Sequence, residues 1–128
     1  MPRNLRLICA FLVLLSFCNP VVANPPRSAV RSWSGYLIDL ACARERKDDE
    51  PDLGPKHTKK CMQMPACDRS GFGLLTDAND LLPFDENGNI RVRALLQQTN
   101  QTGHLRVVVQ GTKTNDVLQV TKIQLKKS

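Results

Sequence analysis

The sequence predicts a mainly β domain with one or two helices. Short stretches rich in β-branched and aromatic residues alternate polar and apolar side chains between turn-forming residues, a pattern typical of strands. One stretch, residues 92–99, spaces its apolar residues as a one-sided helix does. The chain has 128 residues, a length that suits a single small domain.

Residues 1–23 have the features of a signal peptide. Arg3 and Arg6 give a positive start, and the apolar run over residues 7–17 is too short to anchor the chain in a bilayer. Small or modest side chains precede the cleavage site, which we predict after Ala23. We therefore expect an exported protein, periplasmic or secreted, with no stable membrane anchor after cleavage.

The mature chain is only mildly basic. Cleavage removes two arginines and no acidic residue, so the formal charge falls from +6 to about +4. Export, this modest charge and an aromatic content of 5% argue against nucleic-acid binding. We expect a monomer whose partner is an unidentified component of the cell envelope or the extracellular space.

The mature chain begins with a lead-in, a strand and a long insertion. Residues 24–32 are rich in proline and polar residues and are expected to be flexible, and residues 33–40 alternate as a first strand does. Residues 41–70 are the insertion, which contains all three mature cysteines. Its first part, residues 41–55, is highly charged and is predicted to be an irregular solvated loop, whereas residues 56–64 predict a short helix.

Two strands, a helix and two more strands follow. Residues 73–76 and 81–84 predict a hairpin. Asn89 is the expected N-cap of the one-sided helix. Residues 105–109 and 117–125 predict the last two strands.

This order of elements predicts the architecture. A helix between the third and fourth of five strands is the arrangement of an OB barrel, and closing a barrel removes exposed strand edges. We predict a small five-stranded OB-like barrel over residues 33–128, with the cysteine-rich insertion between strands 1 and 2. An open antiparallel sheet with one packed helix is the alternative. The apolar residues of the last strand change phase near Thr121 and Lys122, which predicts a bulge.

The insertion collects side chains that bind soft metal ions. Thiolates and thioethers are soft and imidazole is borderline, so the set favours zinc or copper over calcium or magnesium. Four donors could form a closed tetrahedral zinc site, and two methionines would shift the preference toward copper. The zinc donors are Cys42, His57, Cys61 and Cys67, and the methionines are Met62 and Met64.

The same cysteines permit a disulfide instead. Three cysteines in an oxidising compartment leave one odd thiol when two are paired. Cys42 bonded to Cys61 or Cys67 would close a loop of roughly twenty residues, which stabilises a domain by about 3 kcal/mol in the chain-entropy model. The result would be a disulfide-stapled binding module without metal, and the residues leave both alternatives open.

Thiol catalysis at Cys61 is a third hypothesis. On the predicted short helix, His57 and Cys61 lie four residues apart and share a face, where the imidazole would lower the pKa of the thiol. No Ser-His-Asp set, phosphate loop or paired acid site accompanies them. We therefore predict that the protein is not an enzyme.

Several motifs resemble those of a group of small secreted bacterial proteins of unknown function. They are WSGYLIDLAC, the H-x3-C spacing, SGFGLLT, PFDENGN, and VVVQG followed by VLQVTKI, and they cover nearly all of the mature chain. The resemblance implies a secreted domain in which the three cysteines and His57 belong together, and it implies no activity. The shared positions are Gly35, Asp39, Cys42, His57, Cys61, Cys67 and Gly71.

Our leading prediction is an exported, non-enzymatic β domain that binds zinc or copper through the insertion. The resemblance strengthens the metal site relative to the disulfide. Asp39, which precedes the first mature cysteine, is expected to orient His57 at that site.

Overall fold

The computed structural model describes residues 29–127, and their strands form one five-stranded sheet. The order across the sheet is β3-β2-β1-β4-β5, and every neighbouring pair is antiparallel. The mainly β prediction is confirmed, whereas the signal peptide, its cleavage site and residues 24–28 lie outside the described residues. The strands are β1 (Arg31–Asp39), β2 (Phe72–Thr76), β3 (Leu81–Pro83), β4 (Arg106–Thr114) and β5 (Val117–Leu125).

The central strand β1 serves two neighbours in turn. Its first part, Arg31 to Tyr36, pairs with β4, and its second part, Gly35 to Asp39, pairs with β2. Gly35 belongs to both ladders, and a Cβ atom there would lie 2.4 Å from the carbonyl oxygen of Leu75. Glycine permits this close approach. The second part of β1 leads directly into the cysteine-bearing insertion.

Over residues 29–127, the chain just after β3 pairs with the outer strand β5 through a single isolated bridge. Phe84, just after β3, forms an isolated parallel bridge with Leu118. The Asp85 amide donates to the Leu118 carbonyl oxygen at 3.0 Å. Pro83 has no N–H to donate, which limits pairing at this edge. The described sheet is therefore open, and the predicted closed barrel is not confirmed.

The helix that follows β3 is α5 (Glu86–Gln98), numbered after the four short helices of the insertion described below. It starts earlier than predicted. Asp85 is the N-cap, because its side chain accepts from the Gly88 amide at 2.9 Å. Asn89 lies inside the first turn instead and accepts from the Phe72 amide. Val92 and Leu96 are the apolar residues that α5 buries in the core.

The insertion contains four short helices rather than a loop and one helix. Residues 41–55, predicted to be irregular, include α1 (Leu40–Arg46) and the start of α2 (Leu53–Lys56). Ala43 and Leu53 pack with Ile38 and Leu75 on the outer face of the sheet. Few residues of this segment face the sheet, so the sequence shows charged residues there and no helical pattern of apolar residues. The other two helices are α3 (Lys59–Met62) and α4 (Pro65–Ser70).

The short helix predicted over residues 56–64 is present only as α3, over Lys59–Met62, because the chain is extended at His57 and Thr58. His57 has φ −67° and ψ 137°, and the Thr58 hydroxyl caps α3 by accepting from the Cys61 amide. His57 and Cys61 therefore do not share a helix face. α3 ends at Met62, before Pro65, and Pro65 is instead the first residue of α4.

The main core lies between the sheet and α5. It buries Leu37, Leu74, Val107 and Val109 from the sheet together with residues of α5 and the insertion. The predicted bulge in β5 is confirmed, because the register passes from Gln110–Lys122 to Gly111–Val120 and leaves Thr121 unpaired. Within residues 29–127, no helix has the length and apolar character needed to cross a bilayer.

Candidate metal centre

Asp39 ends β1 and caps α1, so one residue links the sheet to the insertion. Its side chain is fully buried, and Oδ1 accepts from the Cys42 amide at 2.9 Å. The Asp39 side chain is thereby fixed at the first turn of α1. The chain also closes onto β2 here, because the Leu40 amide donates to the Gly71 carbonyl oxygen.

The second carboxylate oxygen of Asp39 is held by His57. The distance from His57 Nε2 to Asp39 Oδ2 is 2.7 Å, and His57 is 3% exposed. The His57 amide donates to the Leu53 carbonyl oxygen, which ties the residue to the end of α2. Asp39 and His57 thus form a buried pair that joins β1 to the middle of the insertion.

Two cysteines converge on the same carboxylate. Cys42 lies on α1 and is half-buried, and Cys67 lies on α4 and is 9% exposed. One ligand atom each from Asp39, Cys42 and Cys67 lies within 4.8 Å of the others. Among the described residues, this group, which we call the Asp-Cys-Cys cluster, has the proximity needed to hold a metal ion.

Ser70 fixes the two helices that carry the cysteines. Its hydroxyl donates to the Cys67 carbonyl oxygen at 2.7 Å and accepts from the Ala41 amide at 3.1 Å. The start of α1 and the end of α4 are therefore joined through one side chain. This junction keeps the two cysteine-bearing helices together.

Burial and charge make the three acidic groups unequal. Burial alone would raise the pKa of Asp39, but hydrogen bonds from His57 and the Cys42 amide, together with the charge of His57, hold it below its ordinary value. Burial, followed by the negative charge of Asp39, raises the pKa of Cys42 to about 12 and also raises the pKa of Cys67. At neutral pH without a bound cation, Asp39 is ionised and both thiols are protonated.

The remaining predicted donors lie in three different environments. Cys61 on α3 is half-buried outside the compact cluster, although it is near enough to Cys67 for its charge to raise the pKa of that thiol. Met62 is fully buried in the main core, and Met64 is 52% exposed. The structure therefore brings Cys42 and Cys67 together and leaves the methionines in packing or surface positions.

The described cysteines are free thiols. Of the two predicted pairings, Cys42 with Cys67 is the one whose sulfur atoms both belong to the cluster. Of the two predicted disulfides, the geometry therefore favours Cys42–Cys67. Closing it would draw together sulfur atoms that already lie within 4.8 Å, to the roughly 2.05 Å of a disulfide bond.

Sequence reasoning placed Asp39 beside His57 but did not place its carboxylate among the thiols. The signal that could have found it is the spacing Asp39-x2-Cys42. An aspartate that caps a helix accepts from the amide of the third residue along, so it lies beside that residue's side chain. Cys67 comes from a separate helix, and no local pattern indicates its approach.

Chemically, the cluster offers two thiols and one carboxylate at the distances of a small cation site. Zinc accepts sulfur, nitrogen and oxygen ligands in tetrahedral geometry, whereas copper(I) favours sulfur donors.

Comparison of the chain with protein-family models, with curated proteins and with solved structures gave no match. The resemblance to small secreted bacterial proteins stays a prediction from the sequence motifs.

Proposed function

We propose that the protein is a small exported domain that binds one zinc ion at the Asp-Cys-Cys cluster. The observation that carries this proposal is the convergence of one buried carboxylate and two thiols within 4.8 Å. The buried Asp39 carboxylate is already paired with His57, and a cation between the three groups would compensate the negative charge that the two thiolates add when they bind it. Of the two metals predicted from the sequence, zinc and copper, we propose zinc.

Zinc fits the cluster better than copper because of the donors that are present and those that are elsewhere. The carboxylate of Asp39 is a hard donor that zinc accepts and copper(I) does not favour. Met62 is in the core and Met64 is at the surface, so neither thioether supports a copper site. Cys61 is not among the three residues of the cluster, so we do not assign it as a ligand.

His57 has a different role in this proposal from the one the sequence suggested. Its Nε2 atom is engaged by Asp39 at 2.7 Å, so His57 holds the carboxylate in position rather than binding the ion through that nitrogen. Groups that orient metal ligands in this way commonly change metal affinity by about 10- to 100-fold when they are removed. In this proposal Asp39 is the ligand and His57 orients it, the reverse of the roles predicted from the sequence.

We also infer that the sheet is an OB-like barrel left partly open. The strand order, the position of α5 between β3 and β4, and the Phe84–Leu118 bridge support this topology. The cluster then lies in the connection between β1 and β2, one of the regions that such barrels use for ligands. Export to the periplasm or outside the cell, and a partner in either place, belong to the same proposal.

Zinc affinity of matched variants tests the proposed site. Reduced protein is titrated against a chromophoric zinc chelator, with Asp39→Asn, Cys42→Ser and Cys67→Ser as test variants. Asp68→Asn is the control, because Asp68 follows Cys67 directly but pairs with Arg93 at 3.0 Å. The test variants should lose more than about tenfold in affinity, and the control should match the unaltered protein. Equal affinities in all of them would remove the cluster from zinc binding.

A second candidate function is supported by the nearness of the two sulfur atoms. If Cys42 and Cys67 are permanently oxidised, the protein is a disulfide-stapled binding module for a protein, glycan or envelope component. The exported protein would then be two hydrogens lighter than its reduced form, and its melting temperature would not respond to chelators. The same mass measurement separates this candidate from the zinc site.

A further inference from the structure

The two thiols that we assign to zinc are also each other's nearest redox partners in the cluster. Their sulfur atoms lie within 4.8 Å, and an atom cannot be both a thiolate ligand and half of a disulfide. We infer that zinc occupancy is controlled by thiol–disulfide exchange, in which a small-molecule or protein disulfide oxidises Cys42 and Cys67 and displaces the ion. This inference rests on the proposed zinc site and adds its regulation.

The exposures of the two cysteines set the order of the exchange. Cys42 is half-buried and can meet an incoming disulfide, whereas Cys67 is 9% exposed. The Cys42 thiolate attacks one sulfur of the incoming disulfide, and the other sulfur leaves as a thiolate. The Cys67 thiolate then attacks the Cys42 sulfur of the mixed disulfide and displaces the second thiolate.

The exchange balances without another reactant. Cys42 and Cys67 together lose two electrons, and the incoming disulfide gains them. Its two sulfur atoms leave as thiolates and take up protons from water. Zinc departs as Zn²⁺ with its oxidation state unchanged, because both of its sulfur ligands are now joined to each other.

The surrounding contacts persist when the ion leaves. Asp39 keeps the Cys42 amide on one oxygen and His57 on the other, so its buried charge stays paired. The Ser70 junction between α1 and α4 involves backbone atoms and does not depend on the oxidation state of the cysteines. The fold can therefore accommodate a zinc-bound reduced state and a zinc-free oxidised state with the same framework.

Cys61 provides the internal comparison. It is the third thiol of the insertion, half-buried and near Cys67, but it lies outside the compact cluster. If general thiol oxidation controlled the metal, Cys61 would be as effective as Cys42. If the geometry of the cluster controls it, the disulfide that forms is Cys42–Cys67, and Cys61 stays reduced.

The test is zinc release on addition of oxidised glutathione to reduced, zinc-loaded protein. Released zinc is measured with a chromophoric indicator, and disulfides are located by peptide mass mapping without reduction. We expect one zinc released for each Cys42–Cys67 disulfide formed, in the unaltered protein and in Cys61→Ser alike. Mapping the unaltered protein keeps the test valid even if a cysteine variant does not fold.

Three other results would overturn the inference. Zinc retained after the Cys42–Cys67 disulfide has formed would show that occupancy is independent of this bond. Zinc released by a disulfide to Cys61 would assign the control to a different pair. Failure of the reduced protein to bind zinc at all would remove the proposed function as well, so the first two results are distinguishable from loss of the site itself.

Discussion

At the scale of single residues, the candidate site depends on the way Asp39 is held. One of its oxygens accepts from the Cys42 amide at 2.9 Å, and the other lies 2.7 Å from His57 Nε2. The sequence indicated the Asp39–His57 partnership. It could not indicate the third contact, because the approach of Cys67 depends on the folding of α4 against α1.

Removal of His57 should destabilise the zinc-free protein. His57→Ala leaves the buried Asp39 carboxylate without its side-chain partner, and breaking such a pair costs about 3–5 kcal/mol. His104→Ala is the control: His104 is exposed and its ring meets the edge of Tyr36, although its φ is +53°, so the substitution should cost about 1 kcal/mol or less. Urea unfolding measures both, and equal losses would show that Asp39 does not depend on His57.

Zinc-free, reduced protein should lose stability at alkaline pH. The pKa of Cys42 rises from 9.0 to about 12 on folding, so the folded state favours the protonated thiol. Its stabilising contribution is present below pH 9 and is lost as the pH rises from 9 to about 12. Cys42→Ser should flatten this part of the stability profile.

Thermal unfolding across pH 8–11 checks the alkaline effect, with Cys61→Ser as the matched control. The control should keep the steep decline of the unaltered protein. A profile that is equally steep in Cys42→Ser would contradict the assigned environment of Cys42.

At the scale of secondary structure, short helices were the hardest feature to predict. α1 begins directly after the last residue of β1, and its buried residues are only Leu40 and Ala43, so its charged side chains made it resemble a loop. The helix predicted over residues 56–64 is shorter than expected, because Thr58 caps the start of α3 instead of lying inside a helix. The strands and α5 were more predictable, because their apolar residues alternate or recur with helical spacing in the sequence.

The start of α5 provides a prediction at this scale. Asp85 caps the helix by accepting from the Gly88 amide at 2.9 Å, and the same oxygen accepts from the Val120 amide at 3.0 Å. Asp85→Ala removes both contacts and should cost about 1–3 kcal/mol. Glu86→Ala, at an exposed neighbouring position, should cost much less. Similar costs in urea unfolding would contradict Asp85 as the cap.

At the scale of the whole molecule, the sequence predicted the number of strands and the helix between the third and fourth. The opening between β3 and β5 matches the open sheet given as the alternative; the sequence could not favour it over the barrel, because it depends on the brevity of β3, where Pro83 cannot donate a hydrogen bond. The double pairing of β1 is the feature that holds the two halves of the sheet together. It requires the backbone of β2 to approach Gly35 closely.

A methyl group at Gly35 should therefore disrupt the sheet. Its Cβ would lie 2.4 Å from the carbonyl oxygen of Leu75, whereas a Cβ at Gly103 would have no atom closer than 3.7 Å. We expect Gly35→Ala to lose about 3 kcal/mol, at the upper end of overpacking costs, and Gly103→Ala to lose far less. Urea unfolding compares them, and a Gly35→Ala protein as stable as the control would contradict the packing of β1 on β2.

The most direct test of the zinc site is native mass spectrometry of the exported protein after mild reduction and addition of equimolar zinc. Denaturing mass spectrometry of the same sample counts the reduced cysteines. We predict one zinc per chain with Cys42, Cys61 and Cys67 reduced, and clearly less bound zinc in Asp39→Asn. A reduced, folded protein that carries no zinc, or an Asp39→Asn protein that carries as much as the unaltered chain, would contradict the account.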